Sequence, residues 1–198
     1  MPLVYRYAFP AMWLSWMVYW WIASRDVKVA VRRESLRSRL FHLVPLTIAV
    51  LLFGVQRVPV AFLGGRVLPL AKWPFWLGLL LTASGLLFTV WARLHLGRNW
   101  SGTVTIKKDH ELITSGPYAL VRHPIYTGLL LALLGSALAL GDWRGVLAFA
   151  LAAGALWNKL RVEERWMRQQ FGDAYMAYSQ RVAALVPFVP FGLLFKRR

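Results

Sequence analysis

The chain contains no cysteine among its 198 residues. Disulfide bonds, thiolate nucleophiles and cysteine-ligated metal sites are therefore excluded. Histidine is also sparse, and its four positions lack the paired spacing that is typical of metal ligands: His42, His95, His110 and His123. We therefore expect no metal site.

Charge of either sign is missing from long parts of the chain, which is 58% hydrophobic against roughly 45–50% in soluble proteins. Five stretches contain no Asp, Glu, Lys or Arg: Tyr7–Ser24, Leu40–Gln56, Trp73–Ala92, Ile125–Gly141 and Gly145–Asn158. Each of the first three approaches the roughly 20 residues that span a bilayer as a helix. The last two are shorter and are predicted to form a helical hairpin around Gly141 and Asp142. The fold class we expect is an all-α, polytopic membrane helix bundle with about five transmembrane helices.

Acidic residues are few, with 8 Asp and Glu against 24 Lys and Arg. If the spans alternate in direction, nineteen of the basic residues lie on one side, within Arg25–Arg39, Arg93–Arg122 and Lys159–Arg198. The positive-inside rule then predicts an amino terminus outside and a carboxy terminus in the cytoplasm. Anionic lipid headgroups are a sufficient partner for these basic loops, so we expect membrane lipids and no nucleic acid.

We expect a single membrane domain over residues 1–198. Residues 1–72 hold the first two spans and are interpreted as scaffold, in which Trp13, Trp16, Trp20 and Trp21 are interfacial or packing aromatics. Residues 73–198 hold the other three spans and a catalytic region over about 94–187. Within it, a connection of roughly thirty residues joins spans three and four, and a loop of that length in a compact protein is usually functional.

A polar segment, Gly116–Gly128, lies between two apolar spans. Pro124 disfavours a helical conformation at His123, so the fourth helix is predicted to begin at Ile125 with His123 just outside it. The amino terminus of a helix favours negative groups of a ligand. Polar and ionisable groups beside the bilayer are costly, and in membrane proteins they usually mark a ligand or substrate site.

A pair of carboxylates, Glu163 and Glu164, follows the fifth span. If spans four and five form a hairpin, this pair lies next to His123 and Tyr126. Beyond it, residues 171–182 are predicted to form an amphipathic surface helix, and its Tyr175 and Tyr178 share a face that could cover the site.

These motifs together resemble the isoprenylcysteine carboxyl methyltransferase family, integral membrane enzymes that use S-adenosylmethionine. The resemblance covers about residues 94–187 and rests on Gly97-Arg-Asn-Trp-Ser101, Asp109–Tyr118, Arg122-His-Pro-Ile-Tyr126, Glu163-Glu164, and Phe171-Gly172 with Tyr175, Tyr178 and Arg181-Val182. The Arg-His-Pro-x-Tyr motif is moderately specific alone, and strong in combination with the later Glu pair.

The resemblance implies an S-adenosylmethionine pocket at the cytoplasmic membrane face. The residues that it assigns to the cofactor are His110, Glu111, Leu112, Ile113, Tyr118, His123, Pro124, Ile125 and Tyr126, with one or both of Glu163 and Glu164. The family also has an arginine shortly before the Glu pair that faces the substrate. Arg161 and Arg93 are the candidate catalytic residues, although a spacing of four residues before Glu163 would select Lys159 instead.

The reaction implied is methyl transfer to the carboxylate of a lipophilic small molecule or prenylated substrate. A second hypothesis keeps the methyl donor and changes the acceptor to the amine of a phospholipid headgroup, with Glu164 or His123 as general base. A third is a nicotinamide-dependent membrane reductase that binds a phosphate through Arg98, Lys107 and Lys108. A fourth is a membrane subunit without catalytic activity.

Overall fold

The computed structural model describes residues 3–25, 27, 30–54, 61–100, 105–107 and 111–187. The chain forms a bundle of long helices with one small sheet at its edge. The elements, in chain order, are α1 (Leu3–Ala23), β1 (Ala30–Arg33), α2 (Leu36–Gly54), α3 (Trp73–Leu96), β2 (Thr105–Lys107), α4 (Pro117–Leu120), α5 (Pro124–Leu140) and α6 (Trp143–Arg181).

Three helices of the described part, α2, α3 and α6, are long and apolar enough to cross a membrane. The apolar helix α5 has 17 residues, and α1 has 21 residues rich in Trp and Tyr. All five predicted spans are therefore helical, and the prediction of a helical membrane bundle is confirmed. The chain is a membrane protein.

The predicted hairpin of the fourth and fifth spans is present as α5 and α6. Gly141 ends α5 with a left-handed φ of 63°, a conformation that glycine adopts without steric cost. Asp142 then caps α6, because its side chain accepts a hydrogen bond of 2.9 Å from the backbone N–H of Gly145. The amphipathic segment after residue 171 is helical as predicted, because Gly172, with a non-helical φ of 49°, divides α6 by a kink and the helix beyond it ends at Arg181.

Helices α3 and α5 pack with their backbones almost touching. A Cβ added to Gly85 would lie 2.5 Å from the carbonyl oxygen of Gly128, and one added to Gly78 would lie 2.4 Å from that of Gly135. Small residues allow this approach, which is the usual way that membrane helices associate. The role of Gly128 is therefore to admit a neighbouring helix.

The other helices surround this pair less tightly. Helix α2 packs on α6, and α1 is tied to the pair by two indole N–H groups, from Trp13 to Ser136 at 3.1 Å and from Trp16 to Thr89 at 2.6 Å. The loops after α1 and after α3 meet in the antiparallel sheet of β1 and β2. That sheet departs from the all-α expectation, and it joins two loops that emerge on the same side of the bundle.

Candidate functional site

A cavity of about 570 Å³ lies among α1, α2, α5 and α6, and the segment before α5 lines one end of it. That end carries most of the polar groups, whereas the walls along the helices are apolar. The volume is within the range of small-molecule sites in proteins, roughly 300–1,000 Å³. The residues at its polar end are positioned by the turns that precede α5.

The turn before α4 is held against the end of α3. Nε2 of His95 and the hydroxyl oxygen of Ser115 are 2.9 Å apart, and Gly116 follows with φ of 58°. A Cβ at Gly116 would lie 2.7 Å from the His95 ring, so glycine is required there for packing as well as for its backbone. This contact presents Tyr118 to the cavity, where burial raises the pKa of its phenol and keeps it protonated.

His123, Tyr126 and Glu163 form one hydrogen-bonded group at the cavity. The Tyr126 hydroxyl donates to Oε1 of Glu163 at 2.5 Å, and Nδ1 of His123 lies 3.6 Å from Oε2 of the same carboxylate. The His123 and Tyr126 rings are parallel, with centroids 5.5 Å apart. The Glu163 side chain remains 24% exposed, so its carboxylate is accessible from the cavity.

The two carboxylates control the protonation of His123, which lies just outside the amino terminus of α5. Burial by itself lowers the pKa of this imidazole, because it disfavours the charged form. Hydrogen bonds to Glu163 and Glu164, together with their charges, outweigh burial and raise the pKa above its ordinary value. An imidazolium is therefore favoured between the two carboxylates.

Glu164 points away from the cavity into a buried ion pair with Arg122. Nε and Nη2 of Arg122 donate to Oε1 of Glu164 at 2.9 and 2.5 Å, and Nη2 of Arg168 donates to Oε2 at 3.0 Å. The Glu164 side chain is only 4% exposed. Its charge is thus compensated by two arginines behind the cavity, whereas Glu163 lines the cavity itself.

Arg122 also fastens the end of α6 and the segment after it across the site. Its Nη1 donates to the carbonyl oxygens of Ser179, at 3.0 Å, and Val182. The backbone N–H of Arg122 donates to Ala183 O at 2.8 Å, and that of His123 donates to Ala184 O at 3.0 Å.

The Tyr178 hydroxyl adds a bond of 2.6 Å to Tyr118 O. Tyr175 and Tyr178 both line the cavity, as their shared face suggested.

Most residues assigned to the cofactor by resemblance lie together. Nine of them line the cavity: Glu111, Leu112, Ile113, Tyr118, His123, Pro124, Ile125, Tyr126 and Glu163. Glu164 contacts His123 from behind, with 3.4 Å between Oε1 and Nε2. His110 lies outside the described residues.

The three candidate cations occupy different environments. Lys159 lines the cavity, and its Nζ lies 5.5 Å from the centroid of the Tyr126 ring. Arg161 is exposed and is not among the described residues that line the cavity. Arg93 is buried, and its guanidinium donates to Gly97 O at 2.7 Å and to Ala23 O. It also lies over the ring of Trp100, which lines the cavity.

Several lining residues were missed from the sequence. Trp13, Trp16 and Trp20 of α1 line the cavity in addition to packing against each other, so their interpretation as scaffold was incomplete. Their spacing of three and four residues, which puts them on one helix face, was the available signal. Arg122 was also left without a role. Trp100, Trp166, Met167 and Gln170 also line the cavity.

Among the residues described, no group of three or more His, Asp and Glu side chains is arranged to hold a metal ion. The groups available at the polar end are two carboxylates, an imidazole, phenols, a guanidinium and an ammonium group around the cavity. Such a set can bind a small molecule that carries both a cation and an aromatic ring.

Comparison with known proteins agrees with the motifs. The family model described as phospholipid methyltransferase matches residues 73–174. The chain is 35% identical over 102 residues to the protein-S-isoprenylcysteine O-methyltransferase of Schizosaccharomyces pombe, covering 50% of this chain and 43% of that protein. It is 32% identical over 115 residues to protein-S-isoprenylcysteine O-methyltransferase B of Arabidopsis thaliana, covering 57% and 58%.

A third relative is the cobalt-zinc-cadmium resistance protein CzcN of Cupriavidus metallidurans, 34% identical over 142 residues, which cover 68% of this chain and 62% of that protein. The chain spans about half the length of the first two relatives. The family match covers α3, α4, α5 and most of α6, and so includes His123, Tyr126 and Glu163 at the polar end of the cavity. The resemblance seen in the motifs is thereby confirmed, and the chain belongs to the phospholipid methyltransferase family, with protein-S-isoprenylcysteine O-methyltransferases among its relatives.

Proposed function

We propose that this chain is a membrane methyltransferase that transfers the methyl group of S-adenosylmethionine to the carboxylate of a lipophilic, isoprenylcysteine-like acceptor. The observation that carries the proposal is the accessible carboxylate of Glu163, held by Tyr126 beside His123 at the polar end of a cavity that continues into the apolar bundle. The polar end of the cavity can bind a cation, and the apolar end can bind a hydrocarbon chain.

The residues present fit the cofactor. Glu163 supplies a negative charge for a cationic group, and the low dielectric of the site strengthens that attraction. The faces of Tyr118 and Tyr126 and the apolar side chains of Leu112 and Ile113 provide surfaces for a nucleoside. We assign the cofactor to these residues together with Glu111, His123, Pro124 and Ile125, and we extend the assignment to His110. Glu164 contributes indirectly by holding His123.

We assign Lys159 as the cation that orients the acceptor carboxylate. It shares a face of α6 with Glu163, four residues later, and both line the cavity. Arg161 is exposed and Arg93 is already hydrogen-bonded to two backbone carbonyls, so we assign neither of them to the acceptor.

When bound, S-adenosylmethionine supplies a methyl group on a sulfonium, and the acceptor oxygen displaces the neutral thioether. A carboxylate is already ionised at neutral pH, so no side chain has to remove a proton. The protein's contribution is to align the acceptor and to exclude water. Positioning of this kind supplies roughly 7–11 kcal/mol in favourable cases. The apolar side chains of Leu129 and Leu156 and the indole of Trp16 keep the space dry.

The positions of the basic residues support a cytoplasmic site. Nineteen of the 24 Lys and Arg are on the side of the bundle that carries the ends of α3 and α6, by the alternation of the spans. We therefore propose that the carboxy terminus and the polar end of the cavity face the cytoplasm and that the amino terminus is outside.

The test uses detergent-purified full-length protein, S-adenosylmethionine labelled in its methyl group, and N-acetyl-S-farnesylcysteine. We expect label in an ester that alkali releases as methanol, with a rate that stays flat above about pH 6 because the acceptor pKa lies near 4. Alkali-stable label in phosphatidylethanolamine, with a rate that rises with pH, would instead indicate an amine acceptor. Binding of NADPH without binding of S-adenosylmethionine would indicate a reductase.

A further inference from the structure

The apolar part of the cavity follows one face of α6 away from the polar end. Ala152, Leu156, Lys159 and Glu163 line the cavity at spacings of four, three and four residues, with Lys159 and Glu163 at its polar end and Leu156 and Ala152 in its apolar part. Eleven residues separate Ala152 from Glu163, which corresponds to about 16 Å along a helix. The cavity therefore extends well into the membrane-crossing part of the bundle.

We call the part of the cavity beyond Lys159 the apolar arm. Its walls opposite α6 come from other helices. Leu46 and Ala49 of α2 and Leu129 and Leu133 of α5 line it with hydrocarbon only. A nucleoside would leave its polar groups without partners in such surroundings, at a substantial free-energy cost. A hydrocarbon chain is the kind of ligand that fits the arm.

The arm has a closed floor. Ala49, Leu133 and Ala152 belong to one packed cluster, which also contains Ala148 one turn further along α6. Ala152 lines the cavity and Ala148 is not among the described residues that do, so the space ends between them. Trp13 packs against the same cluster, and its hydrogen bond to Ser136 holds the indole in place.

We propose that this floor sets the length of hydrocarbon chain that the acceptor can carry. The inference rests on the proposed function, since it identifies the arm as the site of the acceptor's chain. Ala49 and Ala152 leave room because their side chains are single methyl groups, and Leu133 closes the third side. Each methylene buried in the arm strengthens binding about fourfold, and a chain that has reached the floor gains nothing from further length.

The experiment measures dissociation constants of N-acetylcysteine thioethers with geranyl, farnesyl and geranylgeranyl chains for the full chain in detergent, by calorimetry. Ala152→Leu fills the floor, so the preference for farnesyl over geranyl should fall by about tenfold or more. Leu133→Ala deepens the arm, so the preference for geranylgeranyl over farnesyl should rise by a similar factor. Ala150→Leu makes the same change as the first variant at an exposed position of α6 and should leave both ratios as they are.

The proposal would be overturned if the chain-length preferences, measured as ratios of dissociation constants, are unchanged in both Ala152→Leu and Leu133→Ala. If Ala152→Leu fails to fold, Leu133→Ala decides alone. Methyl transfer is measured with the same compounds. If the ratios move as expected but no compound becomes methylated, the arm binds chains and the proposed reaction is wrong. If methylation occurs and the ratios stay constant, the reaction stands and the floor does not set chain length.

Discussion

The Tyr126 hydroxyl donates to Oε1 of Glu163 across the hairpin of α5 and α6, with 2.5 Å between the two oxygens. The two residues are 37 positions apart, and each belongs to a different helix of the hairpin. The bond fixes the rotamer of a carboxylate that is still accessible from the cavity. Glu164, the next residue, is turned away from the cavity and pairs with Arg122. Two adjacent glutamates therefore have separate functions, and variants should separate them.

Glu163→Gln should weaken binding of S-adenosylmethionine by about ten- to a hundredfold while the melting temperature stays close to that of the parent protein. The reason is that the charged partner of the cofactor is lost from an accessible site, and hydrogen bonds to charged groups contribute about 1.5–3 kcal/mol. Calorimetric titration with the cofactor measures the first quantity, and thermal unfolding in detergent measures the second. Unchanged affinity would remove Glu163 from the cofactor site.

Arg122→Ala should destabilise the protein by about 3–5 kcal/mol, because it leaves the Glu164 carboxylate buried without its main partner. The double variant Arg122→Met with Glu164→Leu should recover part of that loss, since an apolar pair requires no compensation. Denaturant unfolding of the single and double variants provides the comparison. A double variant less stable than Arg122→Ala would show that the contacts of Glu164 with Arg168 and His123 outweigh the cost of its unpaired charge.

Lys159→Ala should lower kcat for a carboxylate acceptor by about tenfold to a hundredfold, because the acceptor loses the cation that orients it. The cofactor dissociation constant should change little. Arg161→Ala is the matched control, since it removes a cation from the same helix at an exposed position. A loss of kcat in Arg161→Ala with normal turnover in Lys159→Ala would reverse the assignment.

His123 should make stability depend on pH. Because its pKa is raised in the folded protein, the stabilisation from its charged form is complete below its unfolded pKa, about 6.5, and is lost as pH rises through the folded value. The melting temperature should therefore fall from pH 6 upwards by more in the parent protein than in His123→Gln. Parallel pH profiles for the two proteins would show that the carboxylates do not hold a proton on His123.

Gly85→Ala should destabilise the bundle by about 1–3 kcal/mol, because its Cβ would meet the backbone of α5 at Gly128. Gly154→Ala is the matched control: a Cβ there meets nothing within 4 Å, and alanine favours the helix. Thermal unfolding of both variants in the same detergent tests the contrast. Equal melting temperatures of Gly85→Ala and Gly154→Ala would mean that α3 and α5 can move apart without loss of stability.

The helical membrane bundle and the location of the polar residues could be predicted from the sequence, because long uncharged stretches and the spacing of Pro, Gly and charged residues are local properties. Gly141 and Asp142 marked the hairpin, where Gly141 has a φ of 63°. The hairpin in turn implied that His123 and Tyr126 lie near the Glu pair. The helix after residue 171 was predicted as well, and the non-helical φ of 49° at Gly172 separates it from the longer part of α6.

The sequence by itself determined which chemical groups this protein has: no thiol, scattered histidines, a surplus of cations beside the membrane, and a pair of glutamates after an apolar span. Only the tertiary structure decided which of these groups line the cavity. Glu163 lines it, whereas Glu164 forms the ion pair with Arg122, and Lys159 lines it, whereas Arg161 is exposed. Adjacent residues on a helix point in directions about 100° apart. The environment of each side chain therefore depends on which other helix faces it, and local sequence does not contain that information.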